Sequence, residues 1–224
     1  MKISVIIPIY NEEKTIEQLL QTIEPLRKEV EILFVDGGCT DATRSLIPDS
    51  YTVLESPKGR ANQMNYGAEK STGDVLFFLH CDSELPPDAL EQIRAVMQNH
   101  RVGCFGIAFH SKNFWMNWCQ ILSNHRAGHR RIMFGDQGIF IERDLFFEVG
   151  GFPALPIMED YQFSLTLKEK KIKPGMAKKR IYTSDRRFRA GGMLRVMWKM
   201  NRLRAKYRTG VDIQKISDQY RDIR

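Results

Sequence analysis

Residues 35–43 constrain the fold of this chain most, because an apolar run ends there in a carboxylate, two glycines and a second carboxylate. The preceding run, residues 31–35, has the composition of a buried strand, so Asp36 falls at its carboxyl end, where open α/β sheets bind ligands. Gly37 and Gly38 can adopt positive φ and let the backbone approach a bound base or ribose. An ordinary turn between a strand and a helix has the same pattern, so both interpretations stay open for this segment alone.

Three further segments place polar or acidic side chains where an apolar run gives way to a helical pattern. They are residues 3–12, which end in Tyr10, Asn11 and Glu12, residues 74–82, which end in Asp82, and residues 157–163, which contain Glu159 and Asp160. Because the carboxyl ends of neighbouring parallel strands share one edge of a sheet, we expect the first strand ends to form the rim of one pocket.

The order and spacing of these four blocks resemble the family 2 nucleotide-sugar glycosyltransferases, which have the fold called GT-A. The resemblance runs from about residue 3 to about residue 190 and implies a small, soluble, bacterial-type member. It implies transfer of a sugar from a nucleotide diphosphate sugar, taken as a UDP-sugar, to an acceptor hydroxyl with inversion. Donor contacts are then expected from the first two strand ends, at Pro8, Tyr10, Asn11, Glu12, Asp36 and Gly38.

Hydrophobic periodicity predicts alternating strands and helices along most of the chain. Strands are expected near residues 3–9, 30–36, 51–55, 74–79, 102–110 and 137–142, and helices near residues 12–24, 41–47, 60–71, 87–99, 113–126, 143–149 and 160–170. This alternation predicts an α/β fold, here of the GT-A type, with a mostly parallel central sheet flanked by helices. We expect a catalytic domain at residues 1–184 and a basic helical C-terminal extension, residues 185–224, packed on it.

Composition predicts a reduced, globular protein and argues against a zinc site or a membrane-spanning segment. With 224 residues, 42% of them hydrophobic, the chain can bury a sizeable core without cross-links. The four cysteines include no CxxC pair, which favours reduced thiols in a cytoplasmic protein and argues against zinc. No stretch approaches the ~18 apolar residues of a membrane span, and residues 1–12 lack the pattern of a cleaved signal.

Positive charge is concentrated towards the C-terminus. Residues 168–208 hold 16 basic and two acidic residues, whereas residues 1–167 hold 15 basic and 22 acidic ones. Helical spacing aligns two stripes on a helix at residues 193–208, a basic one at Arg195, Lys199, Arg202 and Lys206 and an apolar one at Val196, Met200, Leu203 and Tyr207.

Such a helix either packs its apolar stripe on its own domain or lies on an anionic bilayer. Many members of the resembled family act on lipid-linked acceptors, which favours peripheral contact with the inner face of the membrane. Aromatic residues that could stack on bases are sparse among the basic residues, which argues against a nucleic-acid partner.

Asp82 is the candidate metal ligand. The resembled family carries an Asp-x-Asp motif at this place, whose acids bind a divalent cation that bridges the two phosphates of the donor. Here His80 stands where the first Asp is expected. Oxygen ligands suit Mg²⁺ or Mn²⁺, and Mg²⁺ often takes only one or two carboxylates together with phosphates and waters. His80 is either a second ligand or a hydrogen-bonding residue at a strand end.

Glu159 and Asp160 form an acidic pair at the start of a predicted helix. Displacement of a nucleotide by a hydroxyl needs a base that accepts the hydroxyl proton, and a carboxylate can do this. The resemblance assigns the catalytic base to Asp160 and places Glu159 beside the acceptor. Acids at a helix N-terminus are also favoured by the helix dipole, whatever the function.

Basic residues are expected around the departing nucleoside diphosphate, which carries heavy negative charge. The resemblance assigns this role to Arg60, in a Gly-Arg-Ala block, and to Arg186 or Arg187 near the end of the catalytic domain. Either of the last two could equally be a solvated surface residue.

A Gly-Asp-Gln segment resembles the part of the family that lies beside the acceptor. It assigns contacts with acceptor hydroxyls to Asp136 and Gln137, although a turn with an Asx cap would have the same sequence.

The sequence therefore predicts an inverting, metal-dependent glycosyltransferase, with two alternatives left open. A sugar nucleotidyltransferase on a similar sheet usually opens with a glycine-rich phosphate loop followed by Arg and Lys, which residues 8–11 do not match. A nucleotide- or anionic-surface-binding module without catalysis stays possible because the Asp-x-Asp motif is incomplete.

Overall fold

The structure, a computed structural model, describes residues 1–111, 113–184, 188 and 191–221. Its strands are β1 (Ile3–Ile9), β2 (Glu31–Asp36), β3 (Thr52–Glu55), β4 (Val75–Phe78), β5 (Ser83–Glu84), β6 (Val102–Ala108), β7 (Ile139–Glu142) and β8 (Gly175–Thr183). Its α-helices are α1 (Ile16–Ile23), α2 (Thr43–Leu46), α3 (Arg60–Lys70), α4 (Ala89–Met97), α5 (Phe114–Arg130), α6 (Arg143–Glu148), α7 (Glu159–Glu169), α8 (Met193–Arg208) and α9 (Ile213–Arg221).

The strands form one mixed sheet in the order β3-β2-β1-β4-β7-β6-β8-β5. Strands β3, β2, β1 and β4 pair in parallel, and β6 and β8 also run parallel. Strand β7 is antiparallel to both of its neighbours, and β5 is antiparallel to β8. The α/β fold predicted from the sequence is confirmed, with an antiparallel strand between two parallel parts.

Helices cover both faces of the sheet, and β1 alternates between them with the period of two that a strand imposes. Ile7 and Ile9 join the core cluster that includes residues of α1 and α4. Ile6 joins the cluster on the other face, which includes residues of α3, α6 and α7. The strand is buried on both faces, as its uninterrupted apolar sequence predicts for a parallel sheet.

Gly67 brings α3 unusually close to the sheet. A Cβ at this position would lie 2.5 Å from Cγ2 of Ile6 and 2.9 Å from Cγ2 of Val35. The helix can therefore pack on β1 and β2 at this distance only because residue 67 has no side chain. This packing fixes the start of α3, and with it Arg60, relative to the strands.

The C-terminal helices α8 and α9 pack on the rest of the protein through a small apolar cluster. Leu203 and Ile216 join Ile132, Met158 and Tyr161 in this cluster, and Val196 is also buried. The apolar stripe predicted on α8 thus faces inward. Among the helices of the described residues, none has the length and apolarity needed to cross a membrane. The domain division at residue 184 stays a prediction.

Candidate active site

The carboxyl ends of β1 and β2 are held together by one buried amide. Gln63 of α3 is 3% exposed, and its Nε2 donates to the carbonyl oxygens of Ile9 at 2.8 Å and Val35 at 2.7 Å. Gln63 was not predicted from the sequence. The sequence feature that could have revealed Gln63 is its position as a polar residue on the apolar face of α3, near Ala61 and Met64, which are buried.

Asp36 organises the turn that follows β2. Its Oδ1 accepts hydrogen bonds from the backbone N–H groups of Gly38 at 2.9 Å and Cys39 at 2.8 Å, and the residue is 8% exposed. Gly38 has a φ of 88°, which explains the glycine, and a Cβ there would meet no atom within 4 Å. Asp36 thus supports the turn, and the space next to Gly38 in that turn is open.

The loop after β1 is tied to this turn. Asn11 adopts a left-handed φ of 54°, and its Oδ1 accepts a hydrogen bond from the Thr40 N–H at 2.8 Å. The backbone N–H of Glu12 donates to Oγ1 of Thr43 at 2.7 Å. These bonds bring the predicted donor contacts of the first two strand ends to one place, with Pro8 opposite Val35 in the sheet register.

Tyr10 lies in the same loop and meets a cation that the sequence did not single out. The Nζ atom of Lys58 lies 3.8 Å from the centroid of the Tyr10 ring. This contact adds a positive charge beside the predicted donor site.

Gly135 lies in space between His80, which follows β4, and Asp160, at the start of α7. Its backbone N–H donates to Oδ2 of Asp160 at 2.8 Å. A Cβ on Gly135 would lie 2.6 Å from Cε1 and Nε2 of His80 and 3.5 Å from Oδ2 of Asp160. The His80 ring and the Asp160 carboxylate therefore flank the same glycine. Oδ1 of Asp160 accepts a further bond from the Tyr161 N–H at 2.6 Å.

Arg60 and Glu159 form an ion pair across the site. Arg60 Nη1 lies 3.2 Å from Oε1 of Glu159, and the side chains are 36% and 4% exposed. Burial raises the pKa of Glu159, opposed by Arg60 and reinforced by Asp160. Burial alone lowers the pKa of Arg60, but the surrounding negative charges, led by Glu159 and including Asp160 and Asp82, reverse this and raise it. Arg60 therefore stays positively charged among three carboxylates.

Two further arginines surround Phe134 beside Asp160. The guanidinium carbons of Arg126, on α5, and Arg204, on α8, lie 3.9 Å and 5.4 Å from the centroid of the Phe134 ring. Burial lowers the pKa of Arg126 to about 10, with Asp136 opposing this shift and Arg204 adding to it. Neither arginine was predicted from the sequence to belong to the site, because nothing in the local pattern shows that residues 126 and 204 meet.

Gln137 lies beneath this cluster and is fully buried. Its Oε1 accepts hydrogen bonds from Arg126 Nη2 at 3.2 Å and from the Phe134 N–H at 3.1 Å. These bonds favour a role in holding the loop in place. Contact between Gln137 and the acceptor stays a prediction, and so does that of Asp136, which is close enough to Arg126 to raise its pKa.

The remaining predicted residues concern the metal and the diphosphate. Asp82 lies in the turn after β4 and is partly buried. No group of three or more His, Cys, Asp or Glu side chains within the described part of the chain could hold a metal ion. Arg186 and Arg187 lie outside the described residues.

The sequence model of glycosyl transferase family 2 matches residues 4–154, and the chain belongs to this family. A curated relative, the undecaprenyl-phosphate 4-deoxy-4-formamido-L-arabinose transferase of Pseudomonas fluorescens (strain Pf0-1), is 32% identical over 106 residues. This match covers 42% of the present chain and 31% of the relative, so the chain matches about a third of that protein's length.

Solved structures show the same architecture. The mannosyltransferase PcManGT from Pyrobaculum calidifontis, in complex with GDP-Man and Mn²⁺, aligns with a TM-score of 0.67 at 22% identity, over 90% of this chain and 61% of that one. Glucosyl-3-phosphoglycerate synthase from Mycobacterium tuberculosis, with Mn²⁺, UDP and phosphoglyceric acid, aligns with a TM-score of 0.65 at 16% identity, over 94% and 79%. At these identities the likeness shows the fold, which is the GT-A type.

Proposed function

We propose that the protein transfers a sugar from a nucleotide diphosphate sugar, taken as a UDP-sugar, to an acceptor hydroxyl with inversion at the anomeric carbon. The observation that carries this proposal is the position of Arg60 among Glu159, Asp160 and Asp82. Glu159 pairs directly with Arg60, and the neighbouring Asp160 and the more distant Asp82 lie close enough to Arg60 to raise its pKa. Binding a diphosphate and deprotonating a hydroxyl require such a combination of charges.

The donor would lie along the loops after β1 and β2. Asp36 and Pro8 would face the base and ribose, with Gly38 and the loop formed by Tyr10, Asn11 and Glu12 around them. Arg60 would stabilise the negative charge of the departing diphosphate, and Arg186 or Arg187 remains a proposed second contributor. The nucleotides in the names of the two structural neighbours, GDP-Man and UDP, support a donor of this class.

The chemistry of Asp82 fits a divalent cation that arrives with the donor. A single carboxylate supplies hard oxygen ligands, and Mg²⁺ or Mn²⁺ can complete its shell with phosphate oxygens and waters. His80 remains the second proposed ligand. When bound, the cation would supply charge neutralisation at the diphosphate. The Mn²⁺ in the names of both structural neighbours supports this proposal.

Asp160 would accept the proton of the attacking hydroxyl at a carboxylate oxygen. Its bonds from Gly135 and Tyr161 hold the carboxylate in one orientation, which favours proton transfer along a fixed direction. Glu159, paired with Arg60, would help to position the acceptor side, together with Asp136. Attack from the face opposite the diphosphate would invert the anomeric carbon.

Nucleotide binding tests the donor site directly. UDP is expected to raise the melting temperature only when Mg²⁺ or Mn²⁺ is present, because Asp82 supplies too few ligands to hold the cation without the diphosphate. Replacing Asp82 by Ala should weaken metal-dependent UDP binding by at least about 10-fold in calorimetry, a loss of about 1.4 kcal/mol. Asp88→Ala, at the cap of α4, is a matched control. Equal UDP affinity in chelator and in metal would contradict the metal role.

Incubation of the protein with a UDP-sugar and candidate acceptors addresses the alternative of a binding module without catalysis. A module of that kind would bind the nucleotide and release an intact UDP-sugar after prolonged incubation with candidate acceptors. Membership of glycosyl transferase family 2 favours the enzyme.

An anionic membrane is the proposed location of the acceptor. Large apolar side chains project from α5 and α8 with exposed fractions between 43% and 69%, and we name them the aromatic face: Phe114, Trp115, Trp118, Ile121, Leu122, Leu194 and Trp198. Exposed Arg195 and Arg202 accompany them, and the Arg202 guanidinium lies 5.3 Å from the Trp198 ring. Tryptophans flanked by basic residues suit the interface of a negatively charged bilayer.

Vesicle co-sedimentation tests this location. The protein is expected to bind anionic vesicles through residues 193–208 and the aromatic face, and binding should weaken as salt rises, since each basic residue near the surface contributes about 1 kcal/mol. Replacing Trp118 and Trp198 by Ala should reduce binding, whereas the same change at exposed Phe147 on α6 should not. If the protein ignores neutral and anionic vesicles alike at low salt, α8 has only a structural role.

A further inference from the structure

Arg126 and Arg204 come from distant parts of the chain and place two positive charges around Phe134. Both side chains are partly buried. In the described part of the chain, neither has a carboxylate oxygen within 4 Å, although eight other ion pairs meet that limit. Arginines removed from water are normally paired, and although Asp136 lies within electrostatic reach of Arg126, no described carboxylate forms a close ion pair with either guanidinium.

Their hydrogen bonds leave donors available. Arg126 donates from Nε to the Ile132 carbonyl at 3.2 Å and from Nη2 to Gln137. Arg204 donates from Nε to the Met200 carbonyl at 3.4 Å and from Nη2 to Asn201. A guanidinium has five N–H donors. These neutral partners orient each guanidinium without cancelling its charge, and further N–H groups remain on both.

The pair lies close to the proposed base, because both guanidiniums contact the Phe134 ring and the N–H of the next residue, Gly135, donates to Oδ2 of Asp160 at 2.8 Å. Burial lowers the pKa of Arg204, and nearby Arg208 lowers it further while Tyr161 and Asp160 oppose the shift. Asp136 and, more weakly, Asp160 oppose the lowered pKa of Arg126. Both guanidiniums are therefore within electrostatic reach of the proposed base, and each is destabilised by a neighbouring cation. An anion bound between the two guanidiniums would offset both the cost of their burial and the repulsion from the neighbouring cation.

We propose that Arg126 and Arg204 form an oxyanion subsite on the acceptor side, which binds a phosphate group carried by the acceptor. The proposal rests on the proposed function, because it names the chemistry of the acceptor for that same site. Guanidinium forks match phosphate oxygens in geometry and in charge. The phosphate would anchor the acceptor so that a separate hydroxyl of the acceptor lies near Asp160, which accepts its proton. Two sources share this chemistry, a lipid headgroup and a small phosphorylated metabolite.

Binding of inorganic phosphate tests the subsite without requiring turnover. UDP and Mg²⁺ are first added to saturation, so that the donor site is filled, and phosphate is then titrated at constant ionic strength in a calorimeter. The parent protein should bind phosphate. Arg204→Gln should weaken that binding by at least about 10-fold, since hydrogen bonds to charged groups contribute about 1.5–3 kcal/mol each. Arg204→Lys should recover part of it.

Arg94→Gln is the matched control, because Arg94 lies on α4, has a side chain 39% exposed and pairs with Glu29 at 3.2 Å. It should bind phosphate like the parent. Equal phosphate affinity in the parent and Arg204→Gln, or no phosphate binding by the parent, would overturn the subsite. If UDP fails to bind while phosphate binding depends on Arg204, the donor assignment fails and the subsite stands.

Competition then separates the two sources. Glycerol phosphate and farnesyl phosphate are each used to displace inorganic phosphate from the parent protein. Tighter displacement by farnesyl phosphate indicates a lipid headgroup, and tighter displacement by glycerol phosphate indicates a soluble metabolite. Failure of both to displace phosphate would overturn the assignment to an acceptor phosphate.

Discussion

Replacing Asp160 by Asn is expected to lower the rate of sugar transfer by at least about 100-fold while UDP binding stays within about two-fold of the parent. An amide keeps the size of the carboxylate but cannot accept the hydroxyl proton. The proposed base would contact the acceptor hydroxyl, so donor affinity should depend on it much less than the transfer rate does. Single-turnover rates and calorimetry on the same variant separate the two effects.

The local hydrogen bonds require one control. Both oxygens of Asp160 accept backbone bonds, from Gly135 and from Tyr161, and an Asn offers only one acceptor oxygen. Its melting temperature should therefore be compared with that of Asp136→Asn, which changes a carboxylate on the neighbouring segment. A transfer rate within a few-fold of the parent in Asp160→Asn would exclude Asp160 as the base and direct attention to Asp136 or Glu159.

The sequence predicted the structure best where a strand is a continuous apolar run followed by polar residues. Strands β1, β2 and β4 are apolar runs, and the polar residues at their ends follow directly from the chain order. Asp36 illustrates both interpretations at once, because its carboxylate caps the turn and stands at the edge where a ligand is expected. The structure shows the turn at this position, and contact with a ligand stays a prediction.

Two strands were not predicted because their sequences lack a clear hydrophobic pattern. Strand β8 contains Lys178, Lys179 and Arg180, which are exposed, and only its inward residues such as Ile181 are buried. Strand β5 has only two residues. The antiparallel direction of β7 depends on how α5 returns the chain, and residue periodicity carries no information on direction.

The charged residues of the site that were not predicted from the sequence share one physical reason. Arg126 and Arg204 meet over Phe134 only after α5 and α8 pack, and Lys58 meets Tyr10 through a similar long-range contact. Long-range contacts between charged or aromatic residues leave no trace in local spacing. The internal hydrogen bonds of Gln137 were likewise not predicted, because its partner Arg126 lies on α5, whereas its predicted contact with an acceptor stays a prediction.

Replacing Arg60 by Met should lower the free energy of unfolding by about 3 kcal/mol at neutral pH, because the charge of Glu159 would lose its partner inside the protein. This value is the lower end for a buried pair, since the Arg60 side chain is 36% exposed. The pair Arg94 and Glu29 is a matched control with the same distance, 3.2 Å, but exposures of 39% and 56%. Arg94→Met should cost less than about 1 kcal/mol.

The pH dependence of this loss identifies its cause. Burial, reinforced by Asp160, raises the pKa of Glu159 above its ordinary value of 4.5 in spite of Arg60, and removing Arg60 should raise it further. A raised pKa means that the folded protein binds the Glu159 proton more tightly than the unfolded chain does. Stability from that proton is fully present below pH 4.5 and is lost as pH rises through the folded pKa.

Urea unfolding should therefore show a large defect of Arg60→Met at pH 7 that shrinks as pH falls towards 4.5, the ordinary pKa of Glu159. Combining it with Glu159→Gln should recover most of the stability at pH 7, because the double variant contains no unpaired buried charge. A defect that stays constant with pH, or adds fully to that of Glu159→Gln, would show that Arg60 stabilises the fold through its hydrocarbon chain. The pair would then have no electrostatic role in holding the start of α7 against α3.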